Sequence, residues 1–356
     1  MRRARASSVI VAVLLLAACG RPGPPLPPER VSPHPPGDLT GVVVGRAVEL
    51  GWDIPSRRVD NVRLRDLLAI HVFRVEDDAT GEPKPALVTK GRVAGYAEVA
   101  TLRMADPAPA VLAGGRMIFV DRAALTPGRR YTYVVLAEDA RGHFSRPSER
   151  LTLTLIAPPA APGPVRATAG EREVRLVWQA PSRLQDGEAV TEPLAYEVLR
   201  RTAPDAPLGV VAKTQPGVTT FVDREVDNER PYAYAVRAIR SAQGTVARGD
   251  ASESVTAMPV DMTPPRAPTE LVAIPSQGAV RLAWIGPPDT DVGRYVVYRG
   301  LEGGAMERAG SVAAPATTFT DRDVPAGRWR YAVSAQDASS RANESPRSAE
   351  VTVTVP

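Results

Sequence analysis

The sequence predicts an all-β chain, in which one strand-rich unit is repeated three times behind an N-terminal leader and a proline-rich segment. Three observations carry this. A tryptophan closes a short alternating strand at Trp52, Trp178 and Trp284. A Phe-x-Asp strand end and then an aromatic-rich alternating strand follow each of them in the same order. The 36 prolines and 28 glycines, set in 44% apolar residues, suit short strands separated by many turns. A chain of 356 residues has room for two or three domains, at roughly 100–200 residues each.

The leader comes first. Arg2, Arg3 and Arg5 give a positive end, and Val9 to Ala18 is an unbroken apolar run. That run is too short to span a bilayer, which takes about 20 apolar residues. It has the length of a signal-peptide core. Cys19 follows and is the only cysteine, so no internal disulfide exists. An unpaired cysteine in an exported chain requires a role.

Leu16-Ala17-Ala18-Cys19 resembles the lipobox of bacterial lipoproteins. The resemblance implies a signal peptide over residues 1–18 and cleavage between Ala18 and Cys19. It also implies a thioether from the Cys19 thiol to a diacylglyceryl group, followed by acylation of the new amino group. Each buried CH₂ contributes about 0.8 kcal/mol, so several acyl chains hold the protein at a membrane effectively for good. Gly20 stands where an inner-membrane retention aspartate would, which points to the outer membrane of a Gram-negative envelope.

Residues 19–36 form the next segment, GRPGPPLPPERVSPHPP after Cys19. It shows no hydrophobic period, and its prolines predict a lipidated, extended tether at about 3.1 Å per residue.

The repeats begin after it. Val48-Glu49-Leu50-Gly51-Trp52, Val174-Arg175-Leu176-Val177-Trp178 and Val280-Arg281-Leu282-Ala283-Trp284 put Val, Leu and Trp on one face by their period of two. A second strand carries Ile70, Tyr196 or Tyr295 and leads to Arg74, Arg200 or Arg299. Then come Phe119-Val120-Asp121, Phe221-Val222-Asp223 and Phe319-Thr320-Asp321. The last shared strand runs Tyr131, Tyr133, Val135, Ala137 in copy one. It runs Tyr232, Tyr234, Val236, Ala238 in copy two and Trp329, Tyr331, Val333, Ala335 in copy three.

These landmarks resemble the fibronectin type III domain, an immunoglobulin-like β-sandwich of seven strands. The resemblance implies three tandem sandwiches over residues 37–157, 160–259 and 264–356. It implies Trp52, Trp178 and Trp284 as core plugs. It makes Tyr131 and Tyr232 corner residues whose hydroxyls bond to upstream backbone. Trp329 departs from that pattern, because an indole can donate a hydrogen bond but not accept one. Proline-rich joints at Ala157–Pro162 and Asp261–Pro268 separate the copies. Copy one is the largest, with an insertion over about residues 77–116 that is a candidate private binding surface.

Chemistry is sparse in the sequence. All but three of the 44 basic residues are arginine, and without the leader arginines 41 basic residues face 40 acidic ones. Near-neutrality and the lack of a basic stripe speak against a nucleic-acid partner. His34, His71 and His143 are scattered and form no zinc spacing. Asp77-Asp78 and Asp289-Thr290-Asp291 offer too few oxygens for calcium from sequence alone. Arg248-Gly249-Asp250, an integrin-type tripeptide, is expected in a loop before the last strand of copy two, where turn residues are needed anyway.

The sequence therefore leads us to expect no catalytic residue, no metal and no cofactor. The expected protein is lipid-anchored through Cys19 and acts as a non-enzymatic binding or scaffold protein of the cell envelope. Its expected partner is an envelope protein or glycan. The alternative is a surface adhesin or polysaccharide-binding accessory.

Overall fold

The computed structural model describes residues 31–356, so Ala18, Cys19, the leader and most of the tether lie outside the described residues. Every regular element is a strand. In the first domain these are β1 (Gly37–Val44), β2 (Ala47–Asp53), β3 (Leu67–Asp77), β4 (Val88–Thr89), β5 (Arg92–Val93), β6 (Ala97–Arg103), β7 (Val111–Ala113), β8 (Arg116–Asp121), β9 (Arg130–Asp139) and β10 (Leu151–Thr154). The second contains β11 (Arg166–Ala169), β12 (Val174–Val177), β13 (Ala195–Arg201), β14 (Gly209–Lys213), β15 (Thr220–Asp223), β16 (Tyr232–Ala242), β17 (Thr245–Ala251) and β18 (Val255–Ala257). The third contains β19 (Thr269–Ser276), β20 (Ala279–Ile285), β21 (Val292–Leu301), β22 (Glu307–Ala313), β23 (Thr318–Arg322), β24 (Gly327–Asp337) and β25 (Val351–Val355).

Each domain packs one sheet on another. The first sheets are β1-β2-β8, β11-β12-β15 and β19-β20-β23. The second are β6-β3-β9-β10, β14-β13-β16 with β17 and β18, and β22-β21-β24-β25. The alternating residues of β2, β12 and β20 enter the cores, so Val48, Leu50 and Trp52 of the first domain are fully buried. Three separate apolar clusters result, one inside each sandwich. Truncating such a core tryptophan costs about 3–5 kcal/mol.

The insertion of domain one is an ordered second layer. The β4–β5 hairpin and its flanks lay Ala86, Val88, Val93 and Tyr96 over Phe73, Val134 and Leu136 on the outer face of the sheet. The Tyr96 hydroxyl donates to the Lys84 carbonyl at 2.5 Å, closing the loop. Thus β9 is apolar on both faces, while most of the equivalent outward positions in β24 are polar.

The end of the proline-rich segment also differs from a free tether. Within residues 31–36, Pro33 bridges Arg58, the His34 amide donates to the Arg57 carbonyl at 2.9 Å, and Pro33 and Pro36 are buried. Proline lacks an N–H but keeps its carbonyl and apolar ring, so it can cap a domain edge.

Domains one and two share a sheet. β17 of domain two pairs in parallel with β1 of domain one, Val43 opposite Ala247 and Val44 opposite Arg248. The strand order runs unbroken as β14-β13-β16-β17-β1-β2-β8-β7. Ala247 belongs to the core of domain one, although it comes from domain two.

Candidate functional site

Two kinds of polar constellation recur in the sandwiches. The first is a clamp between the sheets. In domain one the Asp121 carboxylate, at the end of β8, accepts Arg74 Nη1 at 2.6 Å and the Tyr133 hydroxyl at 2.9 Å. Asp223 receives Arg200 at 2.7 Å and Tyr234 at 2.9 Å. Asp321 receives Arg299 at 2.9 Å and Tyr331 at 2.8 Å. Burial pushes the Tyr133, Tyr234 and Tyr331 hydroxyls well above the usual phenol range, and the adjacent carboxylate adds to it, so each remains a donor. Burial works against the Arg74 charge, but Asp121 outweighs it and the guanidinium is held more firmly protonated. Each arginine also lies over the corner aromatic, Tyr131, Tyr232 or Trp329, at 5.3–5.6 Å.

Those corner residues close the turn before their strand. The Tyr131 hydroxyl accepts the Thr126 amide at 2.7 Å, and Tyr232 accepts the Asp227 amide at 2.9 Å. Trp329 inverts the polarity, its indole N–H donating to the Pro325 carbonyl at 2.9 Å. The shorter turn of domain three brings a carbonyl rather than an amide to the ring. Trp52, Trp178 and Trp284 are buried, and none of their indole N–H groups has a partner among the described residues. Trp178 and Trp284 meet Tyr196 and Tyr295 edge-on at 5.3 Å.

The second constellation sits at the domain corner that receives the preceding linker. In domain one the Arg58 guanidinium donates to Asp139 Oδ2 and Asp66 Oδ1, both at 2.5 Å, and to the Val31 carbonyl. Asp139 also accepts the Arg141 and His143 amides at 2.9 Å and the His143 ring at 3.0 Å. Burial opposes its ionisation, yet these donors, led by Arg58, hold the carboxyl down to about 2. A folded value below the ordinary 3.8 means stability that is present above pH 4 and lost as pH falls towards 2, about 2 kcal/mol in all. Acid titration of the wild type and of Asp139→Asn, followed by thermal melting, is expected to show the wild type losing its advantage in that window. An unchanged gap between the two at pH 2 contradicts the assignment.

The same corner in domain two holds Arg240, which donates to Glu192 and, at 3.1 Å, to the Ala157 carbonyl of the linker. In domain three it holds Asp337 and Asp291, with Asp261 from the linker. The pairings were missed in sequence, although their signal is simple. Two residues past Ala137, Ala238 and Ala335 stand Asp139, Arg240 and Asp337. Four residues before Ile70, Tyr196 and Tyr295 stand Asp66, Glu192 and Asp291.

The remaining candidates are dispersed. His71 lies on the outer sheet face between Glu98 at 2.7 Å and Glu138 at 3.0 Å, and His143 serves Asp139, so these two stay apart. Asp77 pairs with Arg130, and Asp78 caps its own turn through Thr80. Arg248-Gly249-Asp250 is in strand β17, not in a loop. Arg248 donates to Glu49 of domain one at 2.6 Å, Asp250 accepts Gln185 at 3.2 Å, and Gly249 is pressed against the Pro159 carbonyl. Pairing with β16, Ile239 opposite Arg248 and Arg237 opposite Ala251, carries the strand through these residues and removes the tripeptide from any exposed turn.

No family model matches the chain. It is similar to two curated enzymes of Cellulomonas fimi. Exoglucanase B is 28% identical over 246 residues, a stretch that covers 65% of this chain and 21% of that enzyme. Endoglucanase B is 32% identical over 193 residues, covering 52% of this chain and 17% of that enzyme. The chain thus spans about a fifth of the length of these relatives. Among solved structures, the FN1–FN3 domains of chicken CNTN1 align over 91% of this chain and 99% of that one, at 16% identity and a TM-score of 0.29. The fold assignment rests on strand order and corner geometry rather than on that likeness. On those grounds the described chain is a tandem array of three β-sandwiches of the fibronectin type III-like fold.

Proposed function

We propose that the chain is a non-catalytic binding and scaffold protein of a bacterial cell envelope, anchored by lipid on Cys19, at the outer membrane. The observation that supports a scaffold is the sheet shared by domains one and two. It gives two binding modules one fixed relative orientation, which suits presentation of loops and edges to an envelope protein or glycan. Lipid on Cys19 ties that pair to a membrane surface, and the docking of residues 31–36 on domain one fixes where the tether leaves it.

A second reading, a polysaccharide-binding accessory, draws on the glucan-directed names of the two relatives. Most aromatic side chains named above pack in cores, which favours protein contacts over stacking on sugar rings. One experiment separates the readings. Cells producing wild type or Cys19→Ser are labelled with a fatty-acid analogue and fractionated, and the purified chain is mixed with cellulose. Label and membrane residence for wild type alone, with no retention on cellulose, support the anchored scaffold. A mature, unlabelled wild type cut elsewhere ends the anchor proposal, and retention on cellulose favours the second reading.

A further inference from the structure

We infer that the free end of domain one is a docking surface for the membrane itself, at its anionic phospholipid headgroups, a step that rests on the lipid-anchor reading. Strand β1 runs from Gly37 to Val44, and Val44 lies at the joint with domain two. Strand β2 returns antiparallel and brings Asp53 back opposite Gly37. The loop over residues 54–66 therefore lies at the end of the sandwich away from domain two. The proline-rich segment meets it there, where Pro33 bridges Arg58. Val31 stands twelve residues after Cys19, and a chain of that length reaches at most about 43 Å. Lipid on Cys19 thus keeps this end of the molecule beside the membrane.

Domain two repeats the same loop, which supplies the comparison. The Val59 amide donates to the Ser32 carbonyl at 3.0 Å, as Gln185 does to Pro158 at 2.9 Å. The Arg58 amide donates to Val62, as Leu184 does to Glu188, both at 2.8 Å. Asn61 turns the first loop at a φ of 67° and Gly187 the second at 93°. The two loops correspond residue by residue, but their neighbours differ. In domain two the tip faces domain one, and Gln185 and Asp186 share a crevice with Gly45, Arg46 and Pro127. In domain one no other domain among the described residues covers the tip. Burial favours apolar side chains in the covered copy, yet the reverse holds. Gln185, Glu188, Ala189 and Thr191 of the covered loop correspond to Val59, Val62, Arg63 and Arg65 of the open one. Val59 is 43% exposed and Val62 56%.

The charge is likewise uncompensated. Arg63 and Arg65 are exposed, and their side chains form no hydrogen bond or ion pair among the described residues. Arg141 reaches only Asp66, at 4.0 Å. The acids at this end are occupied, Asp66 and Asp139 by Arg58, and Asp60 by the Val62 amide at 3.1 Å. Valines ringed by arginines match the boundary between acyl chains and phosphate, because guanidinium forks take phosphate oxygens two at a time. Each arginine beside an anionic surface strengthens binding about fivefold. Docking of this loop sets domain one end-on, with domain two on the side away from the lipid.

The test uses the chain from Gly20 onward, which keeps every described residue and carries neither leader nor lipid. It therefore reads the loop whether or not Cys19 is acylated. The chain is sedimented with vesicles of phosphatidylcholine alone or mixed with phosphatidylglycerol, in about 0.1 M and about 1 M salt. Binding is expected to the mixed vesicles only, and to fall at high salt. Arg63→Gln with Arg65→Gln is expected to weaken it about 25-fold, and Val59→Ser with Val62→Ser several-fold. Arg281→Gln, at an exposed arginine of β20 in domain three, is expected to bind as wild type does. All these positions are exposed, so melting temperatures are expected to stay with wild type. The proposal is overturned if the mixed vesicles bring down no protein or both vesicle types bring down equal amounts. A double arginine variant that binds as wild type also overturns it, because another surface then meets the membrane. A chain that is labelled at Cys19 yet fails here keeps its anchor and loses only the docking surface.

Discussion

Asp223→Ala is expected to unfold domain two at temperatures where its neighbours stay folded. The carboxylate is buried at the end of β15 and accepts Arg200, Tyr234 and the Glu225 amide, so it ties one sheet of the sandwich to the other. Removing it leaves a mostly buried guanidinium with no counter-ion, bonded only to the Glu225 carbonyl, and a buried hydroxyl with no acceptor. Breaking one partner of such a pair costs about 3–5 kcal/mol, a large part of the stability of a domain this size. Tyr234→Phe removes a single hydrogen bond and is expected to cost only about 1 kcal/mol. Differential scanning calorimetry with proteolysis of residues 160–259 reads the result. If Asp223→Ala melts no lower than Tyr234→Phe, the clamp does not hold the sheets together.

The second large effect is expected at the joint of domains one and two. A Cβ at Gly249 would overlap the Pro159 carbonyl oxygen, which is backbone and cannot swing aside. Gly249→Val is therefore expected to drive β17 and the Pro159 end of the linker apart, and so to unseat β17 from β1. Its losses would be the Val43–Ala247 and Val44–Arg248 pairing, the Arg248–Glu49 ion pair and the 2.8 Å bond from the Thr154 amide to the Thr245 hydroxyl. Each domain retains its own core, apart from Ala247. The expected signature is a larger radius of gyration in solution scattering and new protease cleavage in the linker over residues 155–165. Arg248→Ala removes only the partly exposed pair and is expected to cost about 1 kcal/mol or less without opening the joint. An unaltered scattering profile for Gly249→Val refutes the shared sheet as the source of rigidity.

Period-two patterning made the strands legible in the sequence, because a one-residue slip would turn Val48, Leu50 and Trp52 out of the core together. The three copies multiplied that signal. The clamps were visible in pieces, as Arg74, the Phe-x-Asp end and the paired tyrosines, but not as one constellation. Arg74 and Asp121 stand 47 residues apart, and only the packing of two sheets joins them. The ordered insertion left a trace that was readable: Tyr133-Val134-Val135-Leu136-Ala137 is apolar without alternation, the mark of a strand covered on both faces. The joint left none. Nothing local to Arg248 says that Glu49 is its partner, and glycine and aspartate beside it suggest a turn although β16 holds them in a strand. The open loop of domain one became readable only when set beside its covered copy in domain two, since two exposed valines alone are ordinary.

The shared sheet also sets an order of events when the chain is made. An unpaired strand edge is a template for any other strand that meets it. β1 emerges early from the ribosome, whereas its partner β17 comes much later, and Glu49 and Arg248 are 199 residues apart. At about 5–20 residues per second, that edge stands open for roughly 10–40 s on every nascent chain. Val43 and Val44 are thus open to the wrong neighbour until translation of the second domain is nearly over, and any pause between the two domains lengthens that interval.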